Sequence, residues 1–86
     1  MIATTKEKTT SEQKSCLISL GFDFEPNDNH DSFNLKDTKN TIASIRVQNK
    51  NNFELYIYNE SRGVLFDDIL FNLTEIKKEF KKHLTF

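Results

Sequence analysis

Three stretches of this chain alternate apolar and polar residues with a period of two, and that alternation constrains the fold more than any other feature. Phe33 and Leu35 alternate with Asn34 and Lys36. Ala43, Ile45 and Val47 alternate with Ser44, Arg46 and Gln48, and Phe53, Leu55 and Ile57 with Glu54, Tyr56 and Tyr58. Side chains on a strand point to its two faces in turn, so each stretch reads as a half-buried strand. The turn Asn49-Lys-Asn-Asn52 joins the last two as a hairpin, and its register can be argued. The apolar set in both strands is odd-numbered, and directly opposed residues share a face, so paired numbers must total an even value. A two-residue Lys50-Asn51 turn totals 101 and is excluded unless a bulge intervenes. Three-residue loops total 100, pairing Arg46 with Glu54, or 102, pairing Arg46 with Tyr56.

Helical signals flank the strands. Thr9-x-x-Glu12 and Thr10-x-x-Gln13 both match a capping box, in which side chains satisfy the free N–H groups of a first turn. Cys16, Leu17 and Leu20 follow at helical spacing, and Gly21 stands where a helix end needs a left-handed residue, with Phe22 folding back on the last turn. A helix is expected from about Ser11 to Leu20. The polar segment from Glu25 to Asp31 reads as an exposed loop. Past the turn Asn59–Gly63, Val64–Phe66 suggests a short fourth strand. Asp67-Asp68 then offers an N-cap, and Ile69, Leu73, Ile76, Phe80 and Leu84 form one helical stripe. Asn72-x-x-Glu75 is a second start signal, so the closing helix begins near 68 or near 73. Residues 1–9, without an apolar period, read as a flexible tail, and 10–86 as a single α+β domain. Its order is α-β-β-β-(β)-α, an antiparallel meander with both helices on one face.

Eighty-six residues make one small domain, which buries only roughly 60–65% of the surface its unfolded chain exposes. Eight Phe and two Tyr must supply much of the core, each burying about 150–250 Å². There is no run of eighteen apolar residues and no charged start followed by an apolar stretch, so neither a membrane span nor a secretory signal is expected, and the reading is cytoplasmic. One cysteine builds neither a disulfide framework nor a multi-cysteine zinc site. A net charge of −1 argues against a protein that lives on nucleic-acid phosphates.

No chemistry-bearing motif stands out: there is no Gly-rich phosphate loop, G-x-S-x-G, H-E-x-x-H or Cys-x-x-Cys. Cys16 lies on an apolar helix face and reads as a structural thiol, because reactive thiolates need exposure and nearby positive charge. His83 in the last helical turn complements the helix dipole. Asp23, Glu25, Asp28, His30 and Asp31 could suggest a metal loop. Counted from Asp23, however, the EF-hand positions for Gly and Glu hold Asp28 and Asn34, so a solvated acidic loop is the reading. Lys77, Lys78, Lys81 and Lys82 share residues 67–86 with four acids and read as a solvated face. Neither catalytic residue, metal nor cofactor is expected. The outward side of the central hairpin is different. Arg46, Tyr56 and Tyr58, with Glu54 on the same side, make a candidate partner-binding surface, since Tyr and Arg dominate interface hot spots. They could also stack on bases, or simply cover the sheet as good strand formers.

Leu20-Gly-Phe22 and Leu73-Thr-Glu-Ile-Lys77, within this element order over residues 12–84, resemble small α+β proteins encoded by phages and mobile elements. Many of those have no known function, and some are anti-CRISPR inhibitors that act as stoichiometric binding proteins. The resemblance implies a non-enzymatic protein-binding module, plausibly an inhibitor of a host defence nuclease. Members that mimic DNA are strongly acidic, a pattern from which a charge of −1 departs. The alternative is a small RNA- or DNA-binding protein using the outer sheet face.

Overall fold

The computed structural model describes residues 8–27, 29–49 and 52–84. Its elements run α1 (Ser11–Ser19), β1 (Asp23–Pro26), β2 (Asp31–Lys36), β3 (Thr41–Asn49), β4 (Asn52–Asn59), β5 (Gly63–Leu70) and α2 (Leu73–His83). The strands form one antiparallel sheet in chain order, a five-stranded meander. The expected α+β meander is therefore present, with one strand more at the start and a longer one at the end. Among the described residues no helix is long and apolar enough to cross a membrane.

The first helix begins as its sequence directs. The Thr10 side chain accepts from the Gln13 N–H at 3.1 Å, and Gln13 Oε1 accepts from the Thr10 N–H at 3.0 Å, completing the box. It ends in a Schellman motif: Gly21 N–H donates to Ile18 O at 2.9 Å and Phe22 N–H to Leu17 O at 3.2 Å. Gly21 has φ +110°, a conformation that requires glycine at the helix end, and a Cβ there would also lie tight against Leu35 Cδ1 at 3.3 Å.

The segment expected as a loop is partly strand. Phe24 pairs with Phe33, and Pro26 with Asp31, so β1 adds an edge to the sheet. The rings of Phe24 and Phe33 lie 5.1 Å apart, and Lys14 Nζ sits 4.5 Å from the Phe24 ring centroid. The Phe22-Asp-Phe24 alternation carried this signal, but four residues are too few to stand out against the turn formers that follow. Asp31 is buried rather than solvated, and the Thr9 hydroxyl donates to its carboxylate. Thr9, at the end of the expected tail, is itself 1% exposed and belongs to the packed structure. Residues 1–7 of that tail, Asp28 of the acidic segment and the Lys50-Asn51 turn lie outside the described residues.

Pairing of β3 with β4 follows the even register argued above. Arg46 opposes Glu54, Ile45 opposes Leu55 and Ala43 opposes Ile57, all totalling 100. Near the turn the register shifts between Val47 and Asn49, so that Asn49 opposes Asn52. A bulge reconciles a two-residue connection with a shared face, because one extra residue restores the parity of the alternation. The core-facing row is then Phe33, Ala43, Ile45, Val47, Phe53, Leu55 and Ile57, each at most 2% exposed. Leu17 in α1, Ile76 in α2, and Phe22 and Leu84 just past the ends of the two helices complete this core, and the rings of Phe22 and Phe80 lie 5.8 Å apart.

One end of the sheet is held by buried polar groups. Asp37 Oδ1 accepts from the N–H groups of Lys39 and Thr41 at 2.8 and 2.9 Å. Asn59 Nδ2 donates to Lys39 O and to Thr41 Oγ1. Its Oδ1 accepts from Ser61 and Arg62, folding the next turn as well. Two hairpin turns are thus tied to one asparagine, and each buried polar atom in the tie has a partner.

The closing helix starts at the later of its two signals. Asn72 is the N-cap, with φ −155°, and its side chain accepts from the Glu75 N–H at 2.9 Å. Asp67 and Asp68 are not caps but part of β5, which runs on to Leu70. Ile69, expected on the helical stripe, lies in that strand opposite Glu54 and is 46% exposed. The stripe shortens to Leu73, Ile76, Phe80 and Leu84, with Phe80 half-buried rather than central. A strand wins over a first helical turn here because pairing with β4 satisfies the main-chain groups on one side of Gly63–Leu70 and packs Phe66 and Leu70 on the core, whereas an aspartate cap satisfies one or two donors.

In urea melts, Phe53→Ala should cost about 3–5 kcal/mol, as for a fully buried Phe. Ile69→Ala should cost no more than about 1 kcal/mol, the span of substitutions at a solvent-facing strand site. A large loss at Ile69 would return it to the helix–core contact. Asn72→Ala should cost about 1 kcal/mol through the lost cap. Asp67→Ala and Asp68→Ala should leave the helical circular dichroism unchanged, and a helical loss from either would restore the earlier start.

Candidate partner-binding face

Helices cover one side of the sheet and leave the other open, as period two requires when the odd set is buried. Three rows of outward residues cross this open face. One holds Glu25, Ser32, Arg46, Glu54 and Ile69, and the next Asp23, Asn34, Ser44, Tyr56 and Asp67. The third holds Lys36, Ile42, Tyr58 and Val64. All four residues singled out from the sequence, Arg46, Glu54, Tyr56 and Tyr58, therefore fall on adjacent positions of one surface.

Tyr56 and Tyr58 project from the same side of β4 and stack, with ring centroids 6.4 Å apart and planes within 6°. They are 40% and 36% exposed, an unusual place for two neighbouring aromatic rings with no helix over them. Ile42, Val64 and Ile69 extend the apolar surface on either side, the last two being 54% and 46% exposed. Beside Tyr56 lies an open depression of about 270 Å³ lined by Ser44, Arg46, Glu54, Leu55, Tyr56 and Asp67. That is just below the range of about 300–1,000 Å³ usual for small-molecule pockets. Ser44 donates to Asn34 Oδ1 at 3.0 Å and so is held against the neighbouring strand.

Among the described residues, no ion pair within 4 Å joins the charged groups of this face. Arg46 directly opposes Glu54, yet among the described residues the ion pair within 4 Å is the one between Glu79 and His83 on α2. The carboxylates of Glu54 and Asp67 and the guanidinium of Arg46 thus face solvent around an aromatic pair. Asp67 is the member that the sequence reading missed. It was visible only as a helix cap, because the alternation that would have placed it outward is broken by a register shift between β4 and β5.

The acidic segment does not gather into a ligand set. Asp23 and Glu25 point to the outer face along β1, while the Asp31 carboxylate is taken by Thr9. Lys77, Lys78, Lys81 and Lys82 are exposed on α2, on the helical side of the molecule. Cys16 is half-buried in α1. What the fold and this site define is a small α+β domain whose sheet carries one packed face and one open, aromatic face. No protein-family model, curated protein or solved structure matches the chain.

Proposed function

We propose that this protein is a non-enzymatic protein-binding module that engages its partner through the open face of the sheet. The observation that carries this reading is the stacked Tyr56–Tyr58 pair, exposed at the middle of a face that no part of the described chain covers. Tyr and Arg are enriched among the residues that dominate interface energies, and here both stand beside unpaired carboxylates that can set partner choice. The narrower form of the proposal, supported by the resemblance to phage-encoded proteins, is a cytoplasmic stoichiometric inhibitor of a host defence nuclease. Base stacking on the tyrosines is the competing use of the same rings. It is disfavoured because Glu54 and Asp67 flank Tyr56 and would repel phosphates.

Replacing both Tyr56 and Tyr58 with Ser should leave the protein folded, since each position is a solvent-facing strand site where substitutions span about 1 kcal/mol. Co-purification from host lysate, with the captured protein identified and its ratio to bait measured, should fall at least tenfold, about 1.4 kcal/mol. Full capture by the folded double variant would place the binding surface elsewhere. Separately, RNA and DNA should bind more weakly than about 1 μM at ~150 mM salt. Tighter binding with a steep salt dependence would favour the nucleic-acid reading instead.

A further inference from the structure

We propose that the depression beside Tyr56 receives an arginine side chain presented by the partner protein, with the guanidinium over the Tyr56 ring and its N–H groups on Asp67 and Glu54. This rests on the protein-binding reading and names what that surface recognises.

Geometry brings the required groups together. Asp67 directly opposes Tyr56 across the β4–β5 pair, and Glu54 lies two residues before Tyr56 on the same side of β4. Opposed side chains start about 4.5–5.5 Å apart at Cβ, and residues two apart on a strand about 6.8 Å apart. One ring face and two carboxylates are therefore reachable from a single point in the depression. At about 270 Å³ and open to solvent, it is smaller than the usual small-molecule pocket and can admit a single side chain.

Charge selects the sign of the occupant. Two carboxylates and one guanidinium line the depression, and Asp67 has no cation within ion-pair distance among the described residues. Arg46, across β4 from Asp67, leaves the β5 side of Tyr56 the more negative. A cation arriving there gains Asp67 and the negative face of the ring, and shares Glu54 with Arg46, which opposes it on β3. Arginine fits better than lysine because its planar guanidinium stacks on an aromatic face while donating bidentately to a carboxylate in the ring's own neighbourhood. The chain's own arginines are Arg46, on the open face itself, and Arg62, at the β4–β5 turn, so a second copy could supply the group through either.

The test is a titration of the isotope-labelled protein with acetyl-Gly-Arg-Gly-amide, followed by NMR. Saturable shifts at Glu54, Tyr56 and Asp67, with a dissociation constant on the order of 10 mM, are expected. The lysine peptide should bind at least threefold more weakly, and the glutamate peptide should give no saturable shift. Asp67→Asn should weaken the arginine peptide at least fivefold, while Asp68→Asn, on the opposite side of the strand, should not. Absence of saturation, equal response to all three peptides or an unchanged Asp67→Asn titration would each overturn the proposal. If partner capture is lost in the double tyrosine variant but kept in Asp67→Asn, the protein-binding reading stands and arginine recognition falls. Capture kept in both would remove the reading itself. Concentration-dependent self-association abolished by Arg62→Ala or by Arg46→Ala would assign the depression to a second copy and overturn a heterologous partner.

Discussion

Burial of one face of the sheet, and only one, is the constraint on which the rest of this structure depends. The central strands supply a row of residues from Phe33 through Ile57 that is almost fully withdrawn from water. Two short helices are just enough to cover it. Neither would be stable alone, since an isolated helix of nine or eleven residues lies below the length at which helices persist in water. Each is held by what it buries, Leu17 from α1 and Ile76 from α2. The dependence is mutual: a register slip of one residue between β3 and β4 would turn the apolar row outward and leave both helices without a surface.

The sheet ends in two edges, and they are handled differently. β1 is short and carries Pro26, so it offers little template for another chain. β5 is twice as long, and its end is capped by acids. The Ile69 N–H donates to Asp68 Oδ1 at 2.8 Å, and the Phe71 N–H to Glu75 Oε1 at 3.1 Å. Carboxylates thus take donors that an added strand would otherwise use. The same Glu75 contributes its own N–H to the Asn72 cap, so the end of the sheet and the start of the helix are fixed by one exchange of hydrogen bonds.

Function on such a small domain has to share residues with folding, and the sheet divides the labour by parity. Odd positions of β3 and β4 build the core, and even positions build the open face. Arg46, Glu54, Tyr56 and Tyr58 can therefore vary in chemistry without disturbing the packing beneath them. Their main-chain neighbours are also rigid, because both strands are central and paired on each side. Side chains displayed from such a platform lose little further freedom on binding, which lowers the entropic cost of recognition.

The sequence by itself determined the α+β class, the three alternating strands, the first helix with its box and glycine stop, and the outward position of the four face residues. All of these rest on local signals: a period of two, a cap three residues from its partner, a left-handed residue after a last turn. Tertiary structure decided the remainder. β1 formed from only four residues because Phe24 found Phe33, a contact between segments separated by a turn-rich stretch. Asp31 was buried because Thr9, distant in sequence, supplied its hydrogen bond. The choice between Asp68 and Asn72 as helix start could not be made locally, since both are good caps. Pairing with β4 carried the strand through to Leu70 and left Asn72 as the first free position, and with it moved Asp67 from a helix end to the side of Tyr56. Strand pairing satisfies a row of main-chain groups along a whole segment and buries its inward side chains, and for that reason it overrides a cap that satisfies a single turn.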